Sequence, residues 1–98
     1  MKRYVNRKIS ERIVRTNERH RHDYLVIIKQ TGRDVRNYHI SIAKKQKELP
    51  YYVMSIYGVK KAHDITSLLK ARQIQDSIVK DLRKGANVMA IINGEWRL

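Results

Sequence analysis

The hydrophobic pattern changes period several times along the chain. Asp23–Gln30 (DYLVIIKQ) is apolar on both faces, through Tyr24, Val26 and Ile28 on one and Leu25 and Ile27 on the other. That predicts an internal strand covered on both sides. Thr31-Gly32-Arg33-Asp34 reads as a tight connection, with Gly32 free to take a positive φ. Val35–Ala43 alternates: Tyr38, Ile40 and Ile42 share one face, while Asn37, His39 and Ser41 share the other. A strand with one solvated face is expected there. Lys44–Glu48 reads as a basic loop, Pro50 sets the entry to the next element, and Tyr51–Val59 predicts a third strand that ends or bulges at Gly58.

The period then becomes helical. Over residues 65–84, Leu68, Ala71, Ile74, Ile78 and Leu82 recur every three or four positions and predict one buried stripe. Asp64 or Thr66 is the expected N-cap, Lys80, Arg83 and Lys84 suit the last turn, and Gly85 suits the position just past the end. Asn87–Ile92 reads as a strand, Asn93-Gly94 as a type I′ hairpin turn, and Glu95–Leu98 as a short return strand anchored by Trp96. Met54 and Met89 read as core fillers, and Thr66 and Ser67 as capping residues.

The N-terminal segment supports two readings. Val5, Ile9 and Ile13 recur every fourth residue, which fits a helix over residues 2–19 with Lys8, Arg12, Arg15 and Arg19 as a basic ridge. Ile13-Val14 instead favours a short edge strand over Arg12–Thr16. The expected fold is therefore α+β. Residues 1–22 form a basic helix or flexible arm, and residues 23–98 a single domain. That domain holds a three-stranded antiparallel meander, a packed helix and a further C-terminal strand or hairpin.

Composition narrows the function. The chain has 98 residues with 22 Lys+Arg against 9 Asp+Glu, a net charge of +13. Val, Ile and Leu total 26 of the 98 residues, enough for a core. The longest apolar runs, Tyr24–Ile28 and Val88–Ile92, are far short of the roughly 20 residues a spanning helix needs. The basic N-terminus has no apolar region of a signal peptide, so a cytoplasmic location and no membrane partner are expected. There is no Cys, which excludes disulfides, zinc–thiolate sites and thiol nucleophiles.

The excess charge is larger than solubility requires and points to a polyanion. It is densest in residues 1–22, at net +6. The expected nucleic-acid ligands are Arg3, Arg7, Lys8, Arg12, Arg15, Arg19 and Arg21 on the arm. Arg33, Arg36, Lys44, Lys45, Lys47, Lys60 and Lys61 join them from the loops. These side chains would contact phosphates, and Tyr rings would stack on bases. A non-catalytic DNA- or RNA-binding protein is the first expectation.

The alternative is an accessory or inhibitory protein of a mobile element, phage or plasmid, docking on an acidic surface of a host nucleoprotein or nuclease complex. A small basic ribonuclease, as in mRNA-cleaving toxins, is the third; Arg36, Tyr38 and His39 are the available group, but alternation puts His39 opposite the other two. His20-Arg21-His22-Asp23 and His63-Asp64 pair imidazoles with carboxylates, yet neither spacing makes a metal site. No cofactor is implied, and an exposed edge strand leaves a homodimer open.

The strand–strand–strand–helix order over residues 23–84 resembles that of the arm-site DNA-binding domains of phage-type integrases, which lay a three-stranded sheet in the major groove. A helix–three-strand–helix order is similar to double-stranded-RNA-binding domains, whose basic motif Lys60-Lys61-Ala62 echoes. The likeness is one of element order. No motif residue carries a role across, and the strand expected after Gly85 departs from both patterns.

Overall fold

A computed structural model of the chain describes residues 5–32, 37–48 and 53–95. Arg3, Arg33, Arg36, Pro50, Tyr51 and Trp96 lie outside the described residues, as does the expected final strand beyond Glu95. Four strands, β1 (Val5–Val14), β2 (His22–Gly32), β3 (Tyr38–Gln46) and β4 (Val53–Gly58), form one open antiparallel sheet in the order β1-β2-β3-β4. Helices α1 (Leu68–Arg83) and α2 (Val88–Ile92) follow. The expected α+β meander with a packed helix is present.

Strand β2 is central because it is apolar on both faces. Val26, Ile28, Ile40, Ile42 and Tyr38 point to the helix side, where they bury against Ala71, Ile78, Val79, Leu82, Ile91 and Ile92. On the opposite side Leu25, Ile27 and Ala43 form a smaller cluster with Ile13. Ser41 and Ala43 are also buried, so the supposedly solvated face of β3 is covered through its middle and open around Asn37 and His39 at its start and Lys45 toward its end. The strand also runs past Ala43 to Gln46, because Lys44 and Lys45 pair with Tyr24 and Asp23. The expected Lys44–Glu48 loop shrinks accordingly.

The N-terminal helix is not formed. Residues 5–14 are an edge strand, longer than the Arg12–Thr16 reading. Helical spacing of three apolar residues is a weak preference, whereas an uncovered edge on buried β2 leaves a row of backbone groups to be satisfied. Segment 5–14 is also rich in β-branched residues, which suit a sheet. A bulge between Lys8 and Ser10 shifts the register by one residue. It sends Ile9 to the helix-side cluster and Ile13 to the other. The apparent helical stripe thus serves two sides of a sheet.

Helix α1 begins at Ser67, whose Oγ accepts from Lys70 N at 3.3 Å; neither Asp64 nor Thr66 is the cap. Its buried face comprises Ala71, Gln75, Ile78, Val79 and Leu82, with Leu68 and Ile74 half-buried beside it. At its end Gly85 takes φ +93°, Gly85 N donates to Leu82 O (3.1 Å) and Ala86 N to Asp81 O (3.0 Å), the paired bonds of a Schellman closure.

The expected strand over Asn87–Ile92 is helix α2. Asn87 Oδ1 accepts from Met89 N and Ala90 N at 2.9 and 3.3 Å. Gly94, at φ +83°, donates to Ile91 O, and Glu95 N to Ala90 O. Asn93-Gly94 therefore closes a helix, not a hairpin; both structures need a residue with positive φ after a short apolar run. Val88, Ile91 and Ile92 face the core, while Met89 is exposed instead of filling it.

Between β4 and α1 the chain lies along the first half of β3. Tyr38 and Ile65 exchange backbone bonds of 2.7 and 2.9 Å, and Ile40 N donates to Ala62 O at 2.8 Å. No described helix is long and apolar enough to cross a membrane.

Candidate nucleic-acid interface

Antiparallel pairing decides where the cations go. The β1–β2 connection carries Arg15, Arg19 and Arg21, and the end of β3 carries Lys44, Lys45 and Lys47. Because Asp23 pairs with Lys45 and His22 with Gln46, these two groups occupy the same end of the sheet. Two shallow clefts open there. One, of about 350 Å³, is lined by Ile13, Arg15, Thr16, Asp23, Lys45, Gln46 and Lys47. The other, of about 580 Å³, is lined by Glu18, Arg19, His20, Arg21, His22, Gln46, Lys47 and Glu48. They share Gln46 and Lys47, so the surface is continuous.

The connection is held in shape by its own hydrogen bonds. Thr16 N donates to Asp23 Oδ1 at 2.9 Å, and Thr16 Oγ1 to His22 O at 2.7 Å. Lys47 Nζ donates to Thr16 O (3.0 Å) and Asn17 O (2.6 Å) and lies 3.8 Å from the Asp23 carboxylate. The Lys47 ammonium is thus a clamp on the turn. Asp23 is buried and locally compensated by it. Arg15, Arg19 and Arg21 are exposed, and no ion pair joins them to a carboxylate among the described residues. Lys44 and Lys45 project to opposite faces of β3.

The other expected ligands disperse. Arg7 Nε donates to Gln30 on β2 (2.9 Å), Lys8 pairs with Glu11 (2.8 Å), and Arg12 pairs with Asp76 on α1 (2.8 Å). The Arg12 and Lys80 contacts hold the Asp76 carboxyl below its usual pKa. Lys60 and Lys61 follow β4 at the opposite end of the sheet, with Gly94 beside them. Of the tyrosines, Tyr38 is buried and Tyr24 half-buried in the core, so the proposed stacking platform is absent among them; Tyr57 is exposed, but on β4.

His39 lies on the open face beside Lys29, which itself pairs with Lys8. Burial, and then the charges of Lys29 and His63, lower its pKa, against a smaller opposing pull from Asp64. Asp64 sits at φ +54° and lies 2.9 Å from His63 Nδ1, while Asn37 Nδ2 donates to it at 3.3 Å. Those two hydrogen bonds lower the Asp64 pKa. Tyr38 and His39 do point to opposite sides of β3, so they do not share a site. No group of three or more metal-ligating side chains occurs among the described residues.

Fold and surface together define an open four-stranded α+β sheet with a cationic end. Comparison with protein families, curated proteins and solved structures finds no match for the chain.

Proposed function

We propose that the protein binds nucleic acid without cleaving it, through the end of the sheet formed by the β1–β2 connection and the end of β3. The observation that carries this reading is the meeting of Arg15, Arg19 and Arg21 with Lys45 around two clefts that share Gln46 and Lys47, at the end of the sheet where Lys44 also lies. Three exposed guanidiniums without carboxylate partners among the described residues suit forked contacts to phosphate oxygens. Lys47 acts here by shaping the turn that presents them. With the net charge of +13, binding is dominated by counterion release and depends strongly on salt.

Fluorescence anisotropy with duplex DNA and with RNA, across a salt series, tests the reading. Replacing Arg15, Arg19 and Arg21 together by Ala should reduce the slope of log K against log salt by about 0.9 per lost contact on duplex DNA. Replacing Lys60 and Lys61 at the far end should leave that slope unchanged. A flat salt dependence, or equal effects from both ends, would remove the assignment. A stoichiometric complex with one acidic protein that survives nuclease treatment, with no binding to free nucleic acid, would replace it.

A further inference from the structure

The two borders of the sheet differ sharply. Strand β1 has Arg7, Lys8, Glu11 and Arg12 and carries a bulge, devices that discourage another strand from pairing. Strand β4 (VMSIYG) has no charge and no proline. Its Ile56 and Tyr57 are 49 % and 37 % exposed, and they point to opposite faces, so both sides of this border are apolar and wet. No described strand pairs with its outer edge.

We propose that β4 pairs with β4 of a second copy to form a two-fold eight-stranded sheet. Charge selects this border. Two copies each carrying +13 repel over most of their surface, and β4 is the sheet border where strands meet with no charges opposed. The ladder selects the register. Val59 N donates inward to Ile40 O at 2.9 Å, so Tyr57 and Ser55 also turn their backbone groups toward β3, and Ile56 and Gly58 turn theirs outward. An antiparallel pair of such edges forms paired hydrogen bonds when Ile56 lies opposite Ile56 of the second copy. Tyr57 then lies opposite Ser55.

Both helical layers fall on the same side of the joined sheet. On the open side the cross-strand row Ile13–Leu25–Ala43–Ile56 continues into its copy as one apolar stripe. This inference does not rest on nucleic-acid binding, and salt separates the two. Screening strengthens association of like-charged copies, whereas it weakens binding to phosphates.

The chain has no Cys, so single cysteines report the interface directly. In the wild-type background, Ile56→Cys should give a disulfide-linked dimer under mild oxidation, because residues facing each other in a hydrogen-bonded pair lie within disulfide reach. Ser55→Cys and Tyr57→Cys should link far less, since their symmetric partners are offset along the strand. Analytical ultracentrifugation should show a dimer that tightens with salt. Ile56→Lys should give a monomer with an unchanged far-ultraviolet circular dichroism spectrum, and Glu11→Lys on β1 should leave the dimer intact. A monomer at every concentration and salt, or cross-linking that does not peak at residue 56, overturns the proposal. If Ile56→Lys fails to fold, the cysteine series still decides.

Discussion

Replacing Gln75 by glutamate should destabilise the protein by about 3–5 kcal/mol at neutral pH, most of it recoverable with acid. Gln75 is the polar residue on the buried face of α1, only 3 % exposed. Its Nε2 donates to Val26 O on β2 at 2.9 Å and to Ser10 Oγ on β1 at 3.2 Å, and its Oε1 accepts from Ser10 Oγ at 3.3 Å. One amide therefore ties the helix to both strands beside the bulge. A carboxylate keeps the acceptor role toward Ser10 but has nothing to donate, and it sets a negative oxygen against the Val26 carbonyl. Losing the donated bonds alone costs about 1–3 kcal/mol. Burying the charge adds to that, because desolvation raises a buried carboxyl pKa by up to about 3–5 units at about 1.36 kcal/mol each; the bond retained from Ser10 offsets part of it.

The sign follows from proton uptake. With its folded pKa raised above the unfolded value of about 4.3, the variant binds the extra proton in the folded state between those two values. Its stability is greatest below the unfolded pKa and falls as pH rises toward the folded one, by up to about 1.36 kcal/mol per pH unit. Urea unfolding at a series of pH values measures this as a midpoint difference from wild type. With an m value of about 1 kcal/mol/M, the shift at pH 7 is about 3–5 M. Gln75→Leu is the control, losing about 1–2 kcal/mol at every pH. A glutamate penalty below about 1 kcal/mol that does not change with pH would show that the helix–sheet joint is wet, and would refute the packing described here.

Two further outcomes are expected. Asn87→Ala removes both hydrogen bonds at the start of α2 and should cost about 1 kcal/mol, with faster hydrogen exchange at Met89 and Ala90; unchanged exchange would mean the cap is not formed. His39 should titrate below 6.5, mainly because it is half-buried and also because Lys29 and His63 lie near it. Its unfolded state then binds more protons just below 6.5, so wild-type stability rises as pH increases through that region. His39→Gln should flatten the rise, and an NMR titration midpoint at or above 6.5 would contradict the environment described.

The residue pattern alone was enough for the elements that admit one reading. Strands β2 and β3 combine length, β-branched residues and alternation, and α1 has a stripe of five apolar residues with a glycine placed to close it. Gln75 was hidden because a polar residue on an apolar stripe normally marks its edge; only the approach of β1 and β2 gives that amide its partners. Packing set the conformation of the segments whose local preference is weak. Residues 5–14 became a strand because the open side of β2 offered backbone partners that a three-residue helical seam could not outweigh. Residues 88–92 became a helix because five apolar residues fit either period, and capping by Asn87 and Gly94 tipped the balance. The grouping of Arg15, Arg19 and Arg21 with Lys44 and Lys45 is likewise a product of register. These positions are more than 20 residues apart in the chain, and only the antiparallel ladder between β2 and β3 brings them to one end of the sheet.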